Sequence, residues 1–342
     1  MTRRRAAGKR PRVLFRVAAG PRIGFGHLMR CRALARAVGV PAVLSIRGRG
    51  DAQRIARALG CRVLRRLSSL RRADVLVVDD PDPLAARVWL RRGARAGLAT
   101  VAVQDGGAVQ AGSRWASLIV DGSVSAGGPH HPRRRRTGPE PRRLLGTRYT
   151  LLDRRVTRAR AARSRRARSR RPRILIALGG GSQLGPIVRP LVRAILRAVP
   201  SAVIRVAAGF SCRTGRLPGG AVWVRPSGGL TRELAACDAA IVAGGVTLYE
   251  ACAIGVPAAA LAVVPAQRRA IRAFARRGAV IDAGSTFVAS DAPERTARAV
   301  VRLLEEDEAR RRAAAARRLV DGRGALRVAA RLRQLGRSDR HA

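Results

Sequence analysis

The stretch Val13-Leu14-Phe15-Arg16-Val17-Ala18-Ala19-Gly20-Pro21-Arg22-Ile23-Gly24-Phe25-Gly26-His27-Leu28-Met29-Arg30-Cys31 decides the fold. Val13–Val17 is a short apolar run of the kind that forms a strand buried on both faces. A loop with Gly20, Gly24 and Gly26 follows. Beyond it Leu28, Cys31, Leu34, Ala35 and Val38 recur every three or four residues, the apolar stripe of a helix. Strand, glycine turn and helix together open a parallel α/β sheet.

Working outward, the same unit recurs. Val43–Ile46, Val75–Val78, Thr100–Val103 and Leu118–Val120 read as strands, with helices over Ala52–Leu59 and Leu84–Arg92. A second series opens at Ile174–Leu178, runs into Gly179-Gly180-Gly181-Ser182 and continues with a helix over Ile187–Val199. Strands are expected at Val203–Ala207, Val222–Val224, Ala239–Val242, Ala258–Val263 and Ala279–Ile281. Helices are expected over Leu230–Cys237, Gln267–Arg276, Ala292–Leu304, Glu305–Leu319 and Ala325–Leu335. The expected fold class is α/β, with two Rossmann-like domains facing each other across a cleft at the strand C-terminal ends. The expected boundaries are a basic arm over 1–12, a first domain over 13–125, an Arg/Pro-rich linker over 126–172, a second domain over 173–322 and a last helix over 323–342. Within the linker, 154–173 holds 11 arginines and no acid, and it reads either as a helix or as a flexible segment.

Composition limits the function classes. The 342 residues include 70 Lys plus Arg against 21 Asp plus Glu, a formal net charge of +49. Only Lys9 is lysine. Hydrophobic residues make up 47%, which excludes a disordered basic tail as a description of the whole chain. Aromatics are 3%, so the cores rest on Ala, Val, Leu and Ile. The charge has two readings: attraction to a polyanion or anionic membrane, or a bias that writes surface positions as arginine. Arginine without interleaved aromatics does not make a base-stacking surface, so no specific nucleic acid is expected. Peripheral association with an anionic membrane or polyanion through the Arg-rich segments is the partner reading.

Cys31, Cys61, Cys212, Cys237 and Cys252 are odd in number and show no C-x-x-C spacing, which fits neither a disulfide framework nor a zinc site. The longest uncharged apolar run, Ala251–Ala266, is 16 residues and contains Pro257 and Pro265. That is short of the ~20 residues a membrane helix needs. A soluble cytoplasmic protein without a metal or other cofactor is expected.

Three glycine turns could carry chemistry. In the first, Gly24 and Gly26 let a ligand approach the backbone, and His27 falls at the start of the helix. A neutral imidazole there suits a general base, because the positive end of the helix disfavours the cation. A histidine that merely caps or packs the turn fits the same residues. The second turn, with Gly180 and Gly181, reads as a phosphate nest or a plain tight turn. The third is Gly244-Gly245-Val246-Thr247-Leu248-Tyr249-Glu250. Its free N–H groups and the Thr247 hydroxyl suit a diphosphate, and Glu250 one turn on suits ribose hydroxyls. Asp79-Asp80 and Asp105 stand at strand C-terminal ends, the usual place for function in such sheets. Asp79 and Asp105 are candidate partners of His27 in catalysis.

Together these residues resemble the UDP-sugar hydrolases of pseudaminic acid biosynthesis, which release 2,4-diacetamido-2,4,6-trideoxy-β-L-altropyranose from its UDP form, and the related spore-coat polysaccharide proteins. The resemblance runs almost end to end. It rests on Arg16, the Ile23–Cys31 turn, Leu144-Leu145-Gly146-Thr147-Arg148-Tyr149-Thr150-Leu151-Leu152, Leu178-Gly179-Gly180, Gly244–Glu250, Gly255-Val256-Pro257, Gln267 and Leu319-Val320-Asp321-Gly322-Arg323-Gly324. It implies a GT-B fold with UDP held mainly by the second domain and the last helix crossing back to the first. It implies metal-independent hydrolysis at the anomeric carbon with inversion, His27 activating the water. It also implies Thr247 at the phosphates, Glu250 on the ribose and Gln267 at the sugar or diphosphate. The substrate-binding set is then Arg16, Gly24, Gly26, Arg30, Tyr149, Gly180, Gly181, Gly244, Gly245, Thr247, Leu248, Glu250 and Gln267. The chain departs from the family pattern at Ala18, Asp80 or Pro81, and Asp153, all on the sugar side by analogy. A GT-B glycosyltransferase using the same nucleotide site is the alternative activity. A polyanion- or RNA-binding protein on an enzyme-like fold is the alternative class.

Overall fold

In the computed structural model the described residues are 10–48, 51–64, 70, 72–106, 113–126, 142–164, 170–179, 185–210, 214–225, 228–287 and 291–338. Most of the basic arm, the arginines at 133–136, Gly180, Gly181 and Cys212 lie outside them.

The first sheet has seven strands: β1 (Val13–Ala18), β2 (Val43–Arg47), β3 (Arg62–Val63), β4 (Val75–Asp79), β5 (Ala99–Gln104), β6 (Leu118–Asp121) and β7 (Arg142–Leu145). All pairs are parallel and the order is β3-β2-β1-β4-β5-β6-β7. Helices α1 (Gly26–Val38) and α2 (Asp51–Ala58) and helix α3 (Pro83–Arg95) provide the crossovers. The helix α4 (Arg155–Ser164) then leads to a second parallel sheet. Its strands are β8 (Arg173–Ala177), β9 (Val203–Ala207), β10 (Val222–Val224), β11 (Ala239–Val242), β12 (Ala258–Ala262) and β13 (Ile281–Ser285), in the order β10-β9-β8-β11-β12-β13. Helices α5 (Gly185–Ala198), α6 (Thr231–Ala236), α7 (Val246–Ile254), α8 (Arg268–Arg276), α9 (Ala292–Leu304), α10 (Glu306–Leu319) and α11 (Gly324–Ser338) complete the chain. In each sheet the strand order reverses once, between β1 and β4 and between β8 and β11. The crevice outside those strand ends is where such sheets bind ligands.

The sheets are buried because their sequences are apolar on both faces. Phe15, Val17, Val75 and Val77 pack against α1, while Leu14, Leu76 and Val78 pack against Trp89 and Leu90 of α3. Val328, Ala329 and Leu332 of α11 belong to this first core, although the helix follows the second domain in sequence. Arg333 Nη2 donates to the Ala37 carbonyl at 2.7 Å, tying α11 to the end of α1. Burying each such aliphatic side chain contributes about 1.5–3 kcal/mol relative to leaving it in water.

Three expectations need correction. The first domain does not end at 125, because Leu144 and Leu145 of the presumed linker form β7, with Val120 paired to Leu144. The second is the linker assignment of the arginine-rich segment: of its two readings the helical one holds for α4, which packs on the second core. Val156 is fully buried in the second core, and Arg163 donates to the carbonyls of Gly255 and Cys237 at 3.1 and 2.5 Å. These are orphan carbonyls at the ends of α6 and α7, so one guanidinium serves two helix C-termini. The third is the strand expected at Ala279–Ile281. Ala279 and Val280 are fully buried in the turn after α8, and the strand starts only at Ile281. Among the described residues no helix is long and apolar enough to cross a membrane. Cys31, Cys61, Cys237 and Cys252 are buried.

Candidate active site

The last residue of β4 organises the first half of the site. Asp79 is completely buried at the C-terminal end of a central strand. Its Oδ1 lies 2.7 Å from Nδ1 of His27, the second residue of α1. Arg30, one turn further along α1, grips the same carboxylate with Nε at 2.5 Å and Nη2 at 2.6 Å. Burial alone raises the pKa of Asp79, but Arg30 and His27 outweigh it and hold the carboxylate well below its usual range. An ionised carboxylate only accepts, so His27 carries its hydrogen on Nδ1 and, in the neutral ring, leaves Nε2 as the basic nitrogen. The loop before α1 is closed by paired backbone bonds between Gly20 and Gly24, at 3.2 and 2.7 Å. Gly24 has φ +88°, which a side chain would strain.

Asp105 and Asp80 take other roles. Asp105 meets Arg30 Nη1 at 2.6 Å, which links it to the Asp79–His27 pair through that arginine. Asp80 points away from Asp79 and is fully buried against Arg47, at 2.7 and 2.5 Å. The adjacent carboxylates therefore form two separate ion pairs, and among the described residues no His/Cys/Asp/Glu cluster has the make-up of a metal site.

The second half of the site is the start of α7. Gly245 occupies the cap position with no side-chain cap, and no acidic residue lies in the first turn. The N–H groups there keep the partial positive charge of a helix N-terminus. Space beside Gly245 is open, whereas a Cβ on Gly244 would sit 2.7 Å from Gln267 Cβ and 2.9 Å from its carbonyl oxygen. Gly245 thus faces open space, and Gly244 lets the start of α8 close in behind. The two helix starts approach each other: a Cβ on Gly26 would be 3.2 Å from Val246 Cγ2. Phe25 and Phe210 stack tilted across the same boundary with centroids 4.9 Å apart.

Glu250 lines a pocket between the domains with Met29, Arg32, Leu151, Asp153, Gly228, Gly229 and Val246. Burial, with a smaller contribution from Asp153, pushes its pKa up to about 7. Asp153 itself is held down by the Arg155 N–H at 3.0 Å and by Arg36 at 2.7 Å, which together outweigh its own burial.

The remaining expected residues each have contacts of their own. Arg16 sits on the opposite face of the sheet from α1, 4.6 Å over the Trp89 ring and bonded to Ser45 Oγ at 2.9 Å. Tyr149 packs against the first core beside α11. Arg30 spends its guanidinium on Asp79 and Asp105. Gln267 accepts the Val263 N–H with its side-chain oxygen at 2.9 Å. Leu248 is fully buried inside α7. Gly180 and Gly181 lie outside the described residues.

No protein-family model matches the chain. The spore coat polysaccharide biosynthesis protein SpsG of Bacillus subtilis (strain 168) is 40% identical over 99 residues, 29% of this chain and 29% of that protein's length. Among solved structures, the spinosyn forosaminyltransferase SpnP superposes with a TM-score of 0.62 at 17% identity, covering 96% of this chain and 100% of its own. The spinosyn rhamnosyltransferase SpnG, complexed with thymidine diphosphate, gives 0.60 at 19% identity, over 95% and 99%. MurG of Acinetobacter baumannii gives 0.58 at 14% identity, over 95% and 100%. The fold is GT-B.

Two features of this GT-B arrangement escaped the sequence reading. Tyr249 of α7 accepts the buried Val124 N–H from the first domain at 3.2 Å and meets Phe274 edge-on, with ring centroids 5.0 Å apart. Arg269, at the start of α8, reaches the first domain, its Nη1 4.0 Å from the position of a Cβ on Gly106. Neither has a signal in spacing, because both depend on how the domains meet.

Proposed function

We propose that the chain is a nucleotide-sugar enzyme that breaks the bond between the anomeric carbon and the diphosphate of a UDP-sugar, with water as the nucleophile. The observation that carries this reading is the buried Asp79–His27 pair standing opposite an uncapped helix N-terminus. The diphosphate binds the first N–H groups of α7 and the Thr247 hydroxyl, and Glu250 accepts from the ribose hydroxyls. Gln267 offers its remaining amide group to the sugar or the diphosphate. Water attacks the anomeric carbon and passes its proton to His27 Nε2. The C–O bond to the diphosphate breaks on the opposite face, and UDP leaves, which inverts the anomeric centre. The helix N-terminus stabilises the charge that builds on the leaving group without need of a metal.

The partial match to SpsG supports a setting in surface polysaccharide synthesis; nonulosonic acid synthesis, with an acetamido-deoxy sugar as product, belongs to the proposal through the family resemblance alone. Buried cysteines at Cys31, Cys61, Cys237 and Cys252 fit a cytoplasmic setting. A second reading, transfer of the sugar to an acceptor hydroxyl, is favoured by the SpnP and SpnG structures, which are glycosyltransferases. The test is UDP release from a panel of UDP-sugars in water alone. Release without acceptor supports hydrolysis. Release only after an acceptor is added replaces hydrolysis with transfer, and none under either condition removes both.

A further inference from the structure

Helix α3 follows directly on the strand that carries Asp79, yet its outer face takes no part in the site. Its inner face is buried through Ala86, Trp89, Leu90 and Gly93. The outer face carries Leu84 and Val88, 68% and 48% exposed, on a helix where leucine and valine would otherwise be turned inward. Arg87, Arg91 and Arg95 share this face at helical spacing, and all are exposed. None of the three makes an ion pair among the described residues, whereas Arg36, Arg47, Arg205 and Arg327 are each paired to a carboxylate. The acids at the start of α3 are both engaged: Asp80 pairs with Arg47, and Asp82 is the N-cap, accepting from the N–H groups of Leu84 and Ala85 at 3.0 and 3.3 Å. Arg114 lies on the element packed against α3, with its guanidinium 5.3 Å from the Trp115 ring.

We propose that the outer face of α3 docks the enzyme on an anionic lipid bilayer. Two adjacent aliphatic side chains ringed by unpaired arginines match an interface of acyl chains beneath anionic headgroups. Nucleic acid is the poorer match, since aliphatic side chains give bases no stacking platform. Arginine suits the surface because its aliphatic stem lies on apolar material while the guanidinium meets phosphate. Docking leaves the catalytic pair untouched and is independent of whether water or an acceptor receives the sugar. It holds the cleft close to the bilayer, because Leu84 is five residues beyond Asp79.

The test is co-sedimentation of the full chain with vesicles of phosphatidylcholine alone or mixed with phosphatidylglycerol. A chain of this net charge adheres to anionic vesicles nonspecifically, so the comparison is between two variants of equal charge. The first is R87Q/R91Q/R95Q. The second is R193Q/R298Q/R318Q, exposed arginines on the second domain. The α3 triple variant is expected to lose about a hundredfold in partitioning, at roughly fivefold per arginine, and the control triple less than about threefold. L84S/V88S is expected to lose roughly tenfold with no change in charge. Equal losses in the two triple variants, unchanged binding by L84S/V88S, or α3 substitutions that lower RNA retention but not vesicle binding would each overturn the proposal.

Discussion

His27 Nδ1 stands 2.7 Å from Asp79 Oδ1, and the carboxylate that holds it is fully buried and gripped twice by Arg30. The pair divides labour: the imidazole has an exposed edge, and the carboxylate fixes which nitrogen carries the hydrogen. His27→Ala is therefore expected to lower kcat by about 10²–10⁴ while leaving nucleotide affinity and Tm near the parent values. Steady-state kinetics with calorimetric titration of UDP checks both. Full activity would assign His27 to packing alone.

Asp79→Asn behaves differently. It keeps the shape but removes the charge that Arg30 neutralises, so it costs both turnover and about 3–5 kcal/mol of stability. The same pair sets an acid limit. The folded-state pKa of Asp79 is depressed, so its stabilising contribution is present above the unfolded value near 4 and fades as pH falls below it. Urea midpoints between pH 6 and pH 3 should fall steeply in the parent and less in Asp79→Asn.

Glu250 has the opposite sign. Its pKa is raised from 4.5 to about 7 by burial, so the unliganded protein loses stability as pH rises between those values. The upper limit of that loss is about 3 kcal/mol, at about 1.4 kcal/mol for each pH unit. Glu250→Gln should gain on the parent at pH 8 relative to pH 5. Ribose hydroxyls donate best to the ionised carboxylate, so UDP should bind the parent more tightly above pH 7 and release a proton below it. Titration calorimetry at pH 6.5 in two buffers of different ionisation enthalpy reads that proton. Glu250→Gln should bind UDP at least tenfold more weakly without the proton release.

What the sequence makes legible follows from which residues carry the signal. The α1 stripe and the Gly244–Glu250 turn are readable because apolar spacing and paired glycines are local features. Strand β7 is hidden because its exposed positions are arginines and little beyond Leu144 marks it as packed, and for the same reason α4, with Val156 as its buried residue, reads equally as a helix or a flexible segment. Ala279 and Val280 misread as a strand because a buried turn and a buried strand are equally apolar. Arg16 illustrates the limit at the site. Strand alternation puts it on the face opposite Phe15 and Val17, but only the position of α3 shows that this face looks away from His27.

The glycine pair before α7 makes a contrast that separates folding from binding. Gly244→Ala forces a methyl against Gln267 and Ile271, with contacts of 2.7 to 3.0 Å, and is expected to cost about 1–3 kcal/mol by pushing α8 outward. Gly245→Ala meets nothing within 4 Å and should melt within about 1 °C of the parent, yet weaken UDP several-fold, because its methyl stands where the diphosphate approaches the backbone. Thermal melts with and without UDP distinguish the two. Undiminished UDP affinity in Gly245→Ala would place the diphosphate elsewhere.

Tyr249→Phe tests the joint between the domains. The phenol accepts the Val124 N–H at 3.2 Å, and both groups are buried at the boundary. Removing the hydroxyl strands a buried N–H, at a cost of about 1–3 kcal/mol, while the edge-on contact with Phe274 is kept. If the two cores unfold as one cooperative unit, that cost appears as a single lowered melting transition. If they unfold separately, the phenylalanine variant splits the transition, because the lost bond lies between the domains and not within either. Hydrogen exchange at the Val124 amide gives the direct reading: protection should fall selectively there while the β8 and β11 amides remain slow.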